Sequence, residues 1–183
     1  MILPIYTYGN AVLRKQTETI KADYPELNSL ISNMFETMYH ADGVGLAAPQ
    51  IGLAIRLLVI DLAPLMEDDP ELGAFKIAMI NPEMLEKSAE EVSGEEGCLS
   101  IPGIHETVMR AEKIKIKYFD PEFNEHIEEF DGYKARVVQH EYDHLEGHLF
   151  TDRVTPLRRQ LLKSRLTNIV KGKASCSYKV KTA

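Results

Sequence analysis

The stretch Gln139-His140-Glu141-Tyr142-Asp143-His144-Leu145-Glu146-Gly147 decides how the rest of this chain is read. It contains His-Glu-x-x-His, a metal-hydrolase signature when it lies on a helix. Positions four apart then share one face, so the imidazoles of His140 and His144 can address a single cation. Glu141, one step round, can reach a water held there without being a ligand itself. Helix formers run from Tyr133 to about Leu145, and Gly147 suits the helix's end. The bare pattern also fits a solvated polar helix, so its flanks have to decide.

Downstream, Thr155-Pro156 reads as an N-cap followed by proline at the first helical position. The apolar stripe Leu157, Leu161, Leu162, Leu166, Ile169 and Val170 predicts a basic helix over 155–171, with a mobile tail over 172–183. Upstream, Lys113 to Phe119 alternates with period two, and His126 to Phe130 returns as its hairpin partner. Further strands are predicted over 55–62, 76–81 and 84–92, with an acidic surface loop over 66–73. Leu27, Leu30, Ile31, Met34, Phe35 and Met38 predict a helix from Pro25 to near His40. Strands come in runs rather than alternating with helices, so the class is α+β, in a single domain over 1–171.

The 183 residues are 44% apolar and 27% charged, as in a globular domain, and no apolar run approaches the ~20 residues of a membrane span. Met1 to Tyr6 lacks the basic region and apolar core of a signal peptide. Cys98 and Cys176 sit in unlike surroundings, so no disulfide is expected; a cytoplasmic location with no membrane association follows as the expectation. Charge is unevenly divided. Residues 153–183 carry nine basic and no acidic side chains, leaving 21 − 9 = 12 basic and 28 acidic residues, a net of −16, in the first 152. A polyanionic partner for the basic end is one implication, a solvated tail the other.

A catalytic site of this type has three protein ligands and one open position. A third histidine in the metzincin spacing would fall at Phe150, no Glu follows Glu146, and no acid follows Asp152. The third ligand is therefore upstream, or is Asp152 or His148. Upstream, Cys98 stands out, on a segment from Gly94 to Gly103 that glycine and proline are expected to bend into irregular backbone; His105 and His126 are weaker candidates. The run Gly43-Val44-Gly45-Leu46-Ala47-Ala48-Pro49-Gln50-Ile51-Gly52 is too rich in glycine and alanine for a comfortable strand. It suits a tight core connection or close approach of backbone to a ligand.

Three blocks together, Gly43 to Gln50, Glu96-Gly97-Cys98-Leu99-Ser100 and Gln139 to Leu145, resemble the bacterial peptide deformylases in order and spacing, over roughly Pro4 to Leu166. The resemblance implies antiparallel strands packed around the His-Glu-x-x-His helix, with a C-terminal helix beyond. It implies hydrolysis of N-formylmethionyl peptides, the nascent chains of protein synthesis, with release of formate. It assigns Cys98, His140 and His144 to one divalent ion, Fe2+ in cells with Zn2+, Ni2+ or Co2+ as alternatives, and Glu141 to general acid/base work. Gln50 and the backbone N–H of Leu99 become oxyanion donors, Gly45 a contact for substrate backbone, and Val44, Tyr133, Arg136 and Val137 the lining of a methionine pocket. Tyr133 and Arg136 depart from the aliphatic residues common there, and Asp42 and Arg110 stand where they could pair beneath the site. Two other readings remain at this level: a metalloendopeptidase using the same helix, and docking of the basic C-terminal helix on the ribosome.

Overall fold

A computed structural model describes residues 1–67 and 69–183. In chain order its elements are β1 (Ile5–Tyr6), α1 (Leu27–His40), β2 (Gly45–Ala47), β3 (Leu57–Asp61), β4 (Lys76–Lys87), β5 (Glu91–Cys98) and β6 (Ile101–Ala111). Then follow β7 (Lys113–Phe119), β8 (Glu125–Asp131), α2 (Gly132–Leu145), α3 (Pro156–Val170) and β9 (Val180–Lys181). Five strands form an antiparallel sheet in the order β2-β3-β4-β7-β8, β5 and β6 form a separate hairpin, and β1 pairs parallel with β9.

The apolar run of β3 explains the layering. Successive strand residues face opposite sides. Leu58 and Ile60 join the cluster that includes Ala135, Val138 and Leu145 of α2, whereas Leu57 and Val59 join Ile31, Met34 and Met38 of α1. A strand covered on both faces needs no polar positions, hence the continuous run. A third cluster packs Ile104 and Val108 of β6 against Leu162, Leu166 and Ile169 of α3, with Phe150 between. The α+β class and the three long helices stand as expected. No helix among the described residues is long and apolar enough to cross a membrane.

Four differences from the sequence expectations have physical causes. The segments 76–81 and 84–92 are not two strands. β4 runs through Pro82, with register shifts between Ile80 and Glu83 and a left-handed Asn81 at φ 50°. A bulge tolerates proline because no ladder donor is required there. Gly45–Ala47 forms a short strand despite its small side chains, since pairing to Leu58–Ile60 buries it completely. A hairpin, β5–β6, carries the segment around Cys98, and the irregular backbone expected there is confined to its end, where the register shifts between Gly97 and Cys98 and Gly103 is left-handed at φ 72°. Its alternation is disguised, because Glu106 and Arg110 point inward with Ile104 and Val108 while His105, Thr107 and Met109 point out. Finally, residues 172–183 do not trail away. Gly172 turns the chain at φ +66°, the N–H of Lys173 bonds the Asn168 carbonyl at 2.8 Å, and β9 closes on β1. Position 68, within the loop expected over 66–73, lies outside the described residues; on either side of it Ala63–Leu65 and Pro70–Leu72 form single 3-10 turns.

Candidate active site

His140 and His144 stand on α2 one turn apart, both buried, and Cys98 ends β5 facing them. One ligand atom from each of the three lies within 4.8 Å of the others, and Cys98 Sγ is 3.4 Å from His144 Nε2. Donors held about 2.0–2.3 Å from a common tetrahedral centre stand about 3.5 Å apart, so this edge already has the length a bound ion requires. His140 Nδ1 lies 2.9 Å from Glu96 Oε2, an arrangement that places the proton on Nδ1 and leaves the Nε2 lone pair for the cluster. Sulfur and two imidazole nitrogens on a rigid helix and strand fit one divalent cation. Of the other candidates, His126 is tied to Asp120 at 2.8 Å, and Asp152 takes up Arg14 and the N–H of Leu149. His105 lines the cavity opposite α2 without joining the cluster.

Glu141 is buried beside the cluster, and its Oε2 has no hydrogen-bond partner among the described residues. Burial pushes its carboxyl up to about 7. Gly45 makes room for it: a Cβ there would lie 2.3 Å from Glu141 Oε1. Gln50 is oriented by its own bonds. Its Oε1 accepts the Ala47 N–H at 2.8 Å, which directs Nε2 toward Ser100 Oγ at 3.3 Å and Cys98 Sγ at 3.5 Å. Leu99 follows Cys98 in the hairpin turn, with its side chain against Gly43. These residues line one cavity of about 510 Å³, together with Val44, Val137 and the half-exposed ring of Tyr133.

Sequence reasoning did not find the layer beneath. Glu96 is buried; Oε1 accepts from Arg110 Nε at 2.8 Å and Arg136 Nη1 at 2.9 Å, and Oε2 accepts from Arg110 Nη2 at 2.8 Å. Burial alone would raise its pKa, yet Arg110 and His140 hold it well below the usual carboxylate range. Arg110 also reaches Asp143, which Arg153 holds from its other side. Arg110 therefore pairs with Glu96 and Asp143, and Asp42 is exposed. Arg136 does border the cavity, but its guanidinium turns toward the hairpin, donating to the carbonyls of Val92 at 2.7 Å and Val108 at 3.0 Å. Gly94 admits it, since a Cβ there would stand 2.7 Å from Arg136 Cζ. Glu96 belonged to a recognisable motif, but an inward-facing acid is not distinguishable from a surface one in a single sequence.

A Cys-His-His cluster with an adjacent buried carboxylate and an oriented amide, at the base of a cleft in an α+β domain, defines the class: a metal-dependent hydrolase. The family model of polypeptide deformylase matches residues 2–160. The chain is 50% identical over 188 residues to the peptide deformylase of Flavobacterium psychrophilum, spanning 99% of this chain and 97% of that one. It is likewise 50% identical over 189 residues to that of Christiangramia forsetii, spanning 99% and 96%. The crystal structure of the Thermotoga maritima peptide deformylase superimposes with a TM-score of 0.77 at 43% identity, covering 85% of this chain and 99% of that one. This chain belongs to the polypeptide deformylase family, and it is an enzyme, a metal-dependent hydrolase acting on N-formylmethionyl peptides.

Proposed function

We propose that Cys98, His140 and His144 hold one divalent ion, and that Glu141, Gln50 and Leu99 carry out deformylation around it. The observation that carries this reading is the partnerless carboxylate oxygen of Glu141, buried beside the three ligand atoms. The ion, when bound, supplies Lewis acidity that lowers the pKa of the attacking water and polarises the formyl carbonyl. Glu141 accepts the water's proton at its carboxylate and returns it to the departing amine nitrogen, so formate and a free amino terminus result. Gln50 Nε2 and the Leu99 N–H donate to the oxygen that becomes negative as the carbonyl turns tetrahedral, bonds that strengthen as charge develops. Gly45 offers backbone to the peptide, while Val44, Val137 and Tyr133 surround the methionine side chain. Arg136 borders that pocket with its stem and uses its charge on Glu96.

A thiolate with two imidazoles suits Fe2+, Zn2+, Ni2+ or Co2+; Fe2+ is the proposed ion in cells, and the cytoplasm the proposed compartment. Docking on ribosomal RNA remains a proposal for α3, whose Leu157 and Leu161 are 67% and 62% exposed among basic residues. Several of those residues are already engaged: Arg158 with Glu106 at 2.7 Å, Arg159 with the Thr151 carbonyl at 3.2 Å, and Arg165 with the Gly103 carbonyl. The functional test is formate release from formyl-Met-Ala-Ser. Glu141→Gln is expected to retain metal and lose at least 100-fold in kcat, within the usual range for a general base. Full turnover in that variant would refute the assignment.

A further inference from the structure

The segment from Ser175 to Tyr178 has no place in the mechanism above, yet it lines the same cavity as Cys98, Leu99 and Gln50. It is held at both ends. On the α3 side Ala174 packs against the cluster of Ile101, Ile104 and Leu166 that Cys98 also touches. On the other side Ile5 N–H bonds the Lys179 carbonyl at 2.9 Å, and Asn10 Nδ2 bonds the Lys181 carbonyl at 2.9 Å. Between these anchors the Tyr178 hydroxyl donates to the Leu99 carbonyl at 2.7 Å.

That bond falls at a decisive place. Leu99 bridges the cavity: its backbone belongs to the β5–β6 turn on one wall, and its side chain lies against Gly43 on the other, where a Cβ would stand 2.7 Å from Leu99 Cδ1. An extended peptide entering between these walls bonds to their free backbone edges, as an added strand does. The Tyr178 hydroxyl takes one of the two acceptor positions of the Leu99 carbonyl, which fixes the tail segment beside the path of such a peptide. A peptide continuing past Leu99 along this wall therefore runs beside Ser175 to Tyr178.

We propose that residues 175–178, pinned by Tyr178 to Leu99, form a specificity wall that reads the residues following formylmethionine. Ser175, Cys176 and Ser177 give this wall small, uncharged side chains, so it accepts an extended peptide backbone beside it. The inference rests on the deformylase reading of the site, and formate release by the unaltered enzyme tests that reading separately.

The experiment compares kcat/KM for formyl-Met-Ala-Ser with that for formyl-methioninamide, which ends before the wall. Tyr178→Phe removes the pin and keeps the ring; loss of one hydrogen bond corresponds to about two- to tenfold. The tripeptide-to-amide ratio is expected to fall about fivefold in the metal-loaded variant. Ser177→Trp builds a large side chain on the wall itself and is expected to lower the ratio further, with no hydrogen bond involved. If both substrates fall in parallel, or if the ratio is unchanged in Ser177→Trp, the wall does not read the peptide and the proposal is overturned. Should Tyr178→Phe fail to fold, the Ser177→Trp ratio decides alone.

Discussion

Replacing Arg136 by methionine separates two roles that a single sequence cannot tell apart: lining a methionine pocket, and fastening the β5–β6 hairpin to α2. The guanidinium makes one charge-assisted bond to Glu96 and bonds to the carbonyls of Val92 and Val108. The first contributes about 1.5–3 kcal/mol and the other two about 1 kcal/mol each. Methionine recovers part of this by burying its own stem, which leaves a net loss of about 2–4 kcal/mol. Glu96 is not orphaned, because Arg110 still grips both its oxygens at 2.8 Å, so the larger penalty for a buried unpaired charge does not arise. For a chain of this size the loss lowers the melting temperature by about 5–15 °C. Cys98 rides on the hairpin and the histidines on the helix, so loosening the clamp also hastens metal loss to a chelator. Thermal melting of the metal-loaded enzyme and the rate of metal transfer to EDTA are the assays. A melting temperature within about 1 °C of the parent, with unchanged metal transfer and an altered KM, would show Arg136 to be pocket lining alone.

Gly45→Ala is expected to reduce kcat about 100-fold while leaving metal content and melting temperature nearly unchanged, because its Cβ would stand 2.3 Å from Glu141 Oε1 and displace the carboxylate; turnover within twofold of the parent would contradict the working position given to Glu141. Asp61 provides a test by pH: burial would raise its pKa, but bonds from the Tyr39 hydroxyl and the Ala63 N–H, with Lys76 nearby, outweigh that and hold it below the usual value. A depressed carboxylate stabilises the fold above its unfolded pKa of about 3.9 and loses that contribution as pH falls through its folded value. Urea midpoints measured between pH 6 and 3 should therefore drop below about pH 4 in the parent and drop less in Asp61→Asn; parallel curves would rule the linkage out.

The elements that the sequence discloses are those in which one pattern acts alone. The stripe of α1, the continuous run of β3 and the alternation of β7 each report a face that is buried by apolar contact. The hairpin β5–β6 stayed hidden because its inward positions include Glu106 and Arg110, buried by ion pairing and so indistinguishable from surface residues in a single chain. The docked tail was hidden for another reason. It is held by backbone bonds and by polar side chains, Asn10 on the Lys181 carbonyl and Tyr178 on the Leu99 carbonyl among them, and Val180 is the single aliphatic residue of β9, so hydropathy carries no trace of the contact. At the site, helical spacing alone was enough to propose the histidine pair. Cys98 needed elimination and family likeness, and the Glu96–Arg110–Asp143 layer exists only once the hairpin and α2 are packed together.

The pairing of β1 with β9 bears on when the active site is finished. Ile5 meets Val180 across 180 − 5 = 175 positions, so this pairing closes one of the longest loops in the described structure. It is two residues long, and closing so long a loop is entropically costly, so it belongs among the last parts to form and the first to open. Until it closes, the cavity lacks the side built from Ser175 to Tyr178. Opening of this two-residue pairing therefore takes away one wall of the cleft while Cys98, His140 and His144 keep their places on β5 and α2.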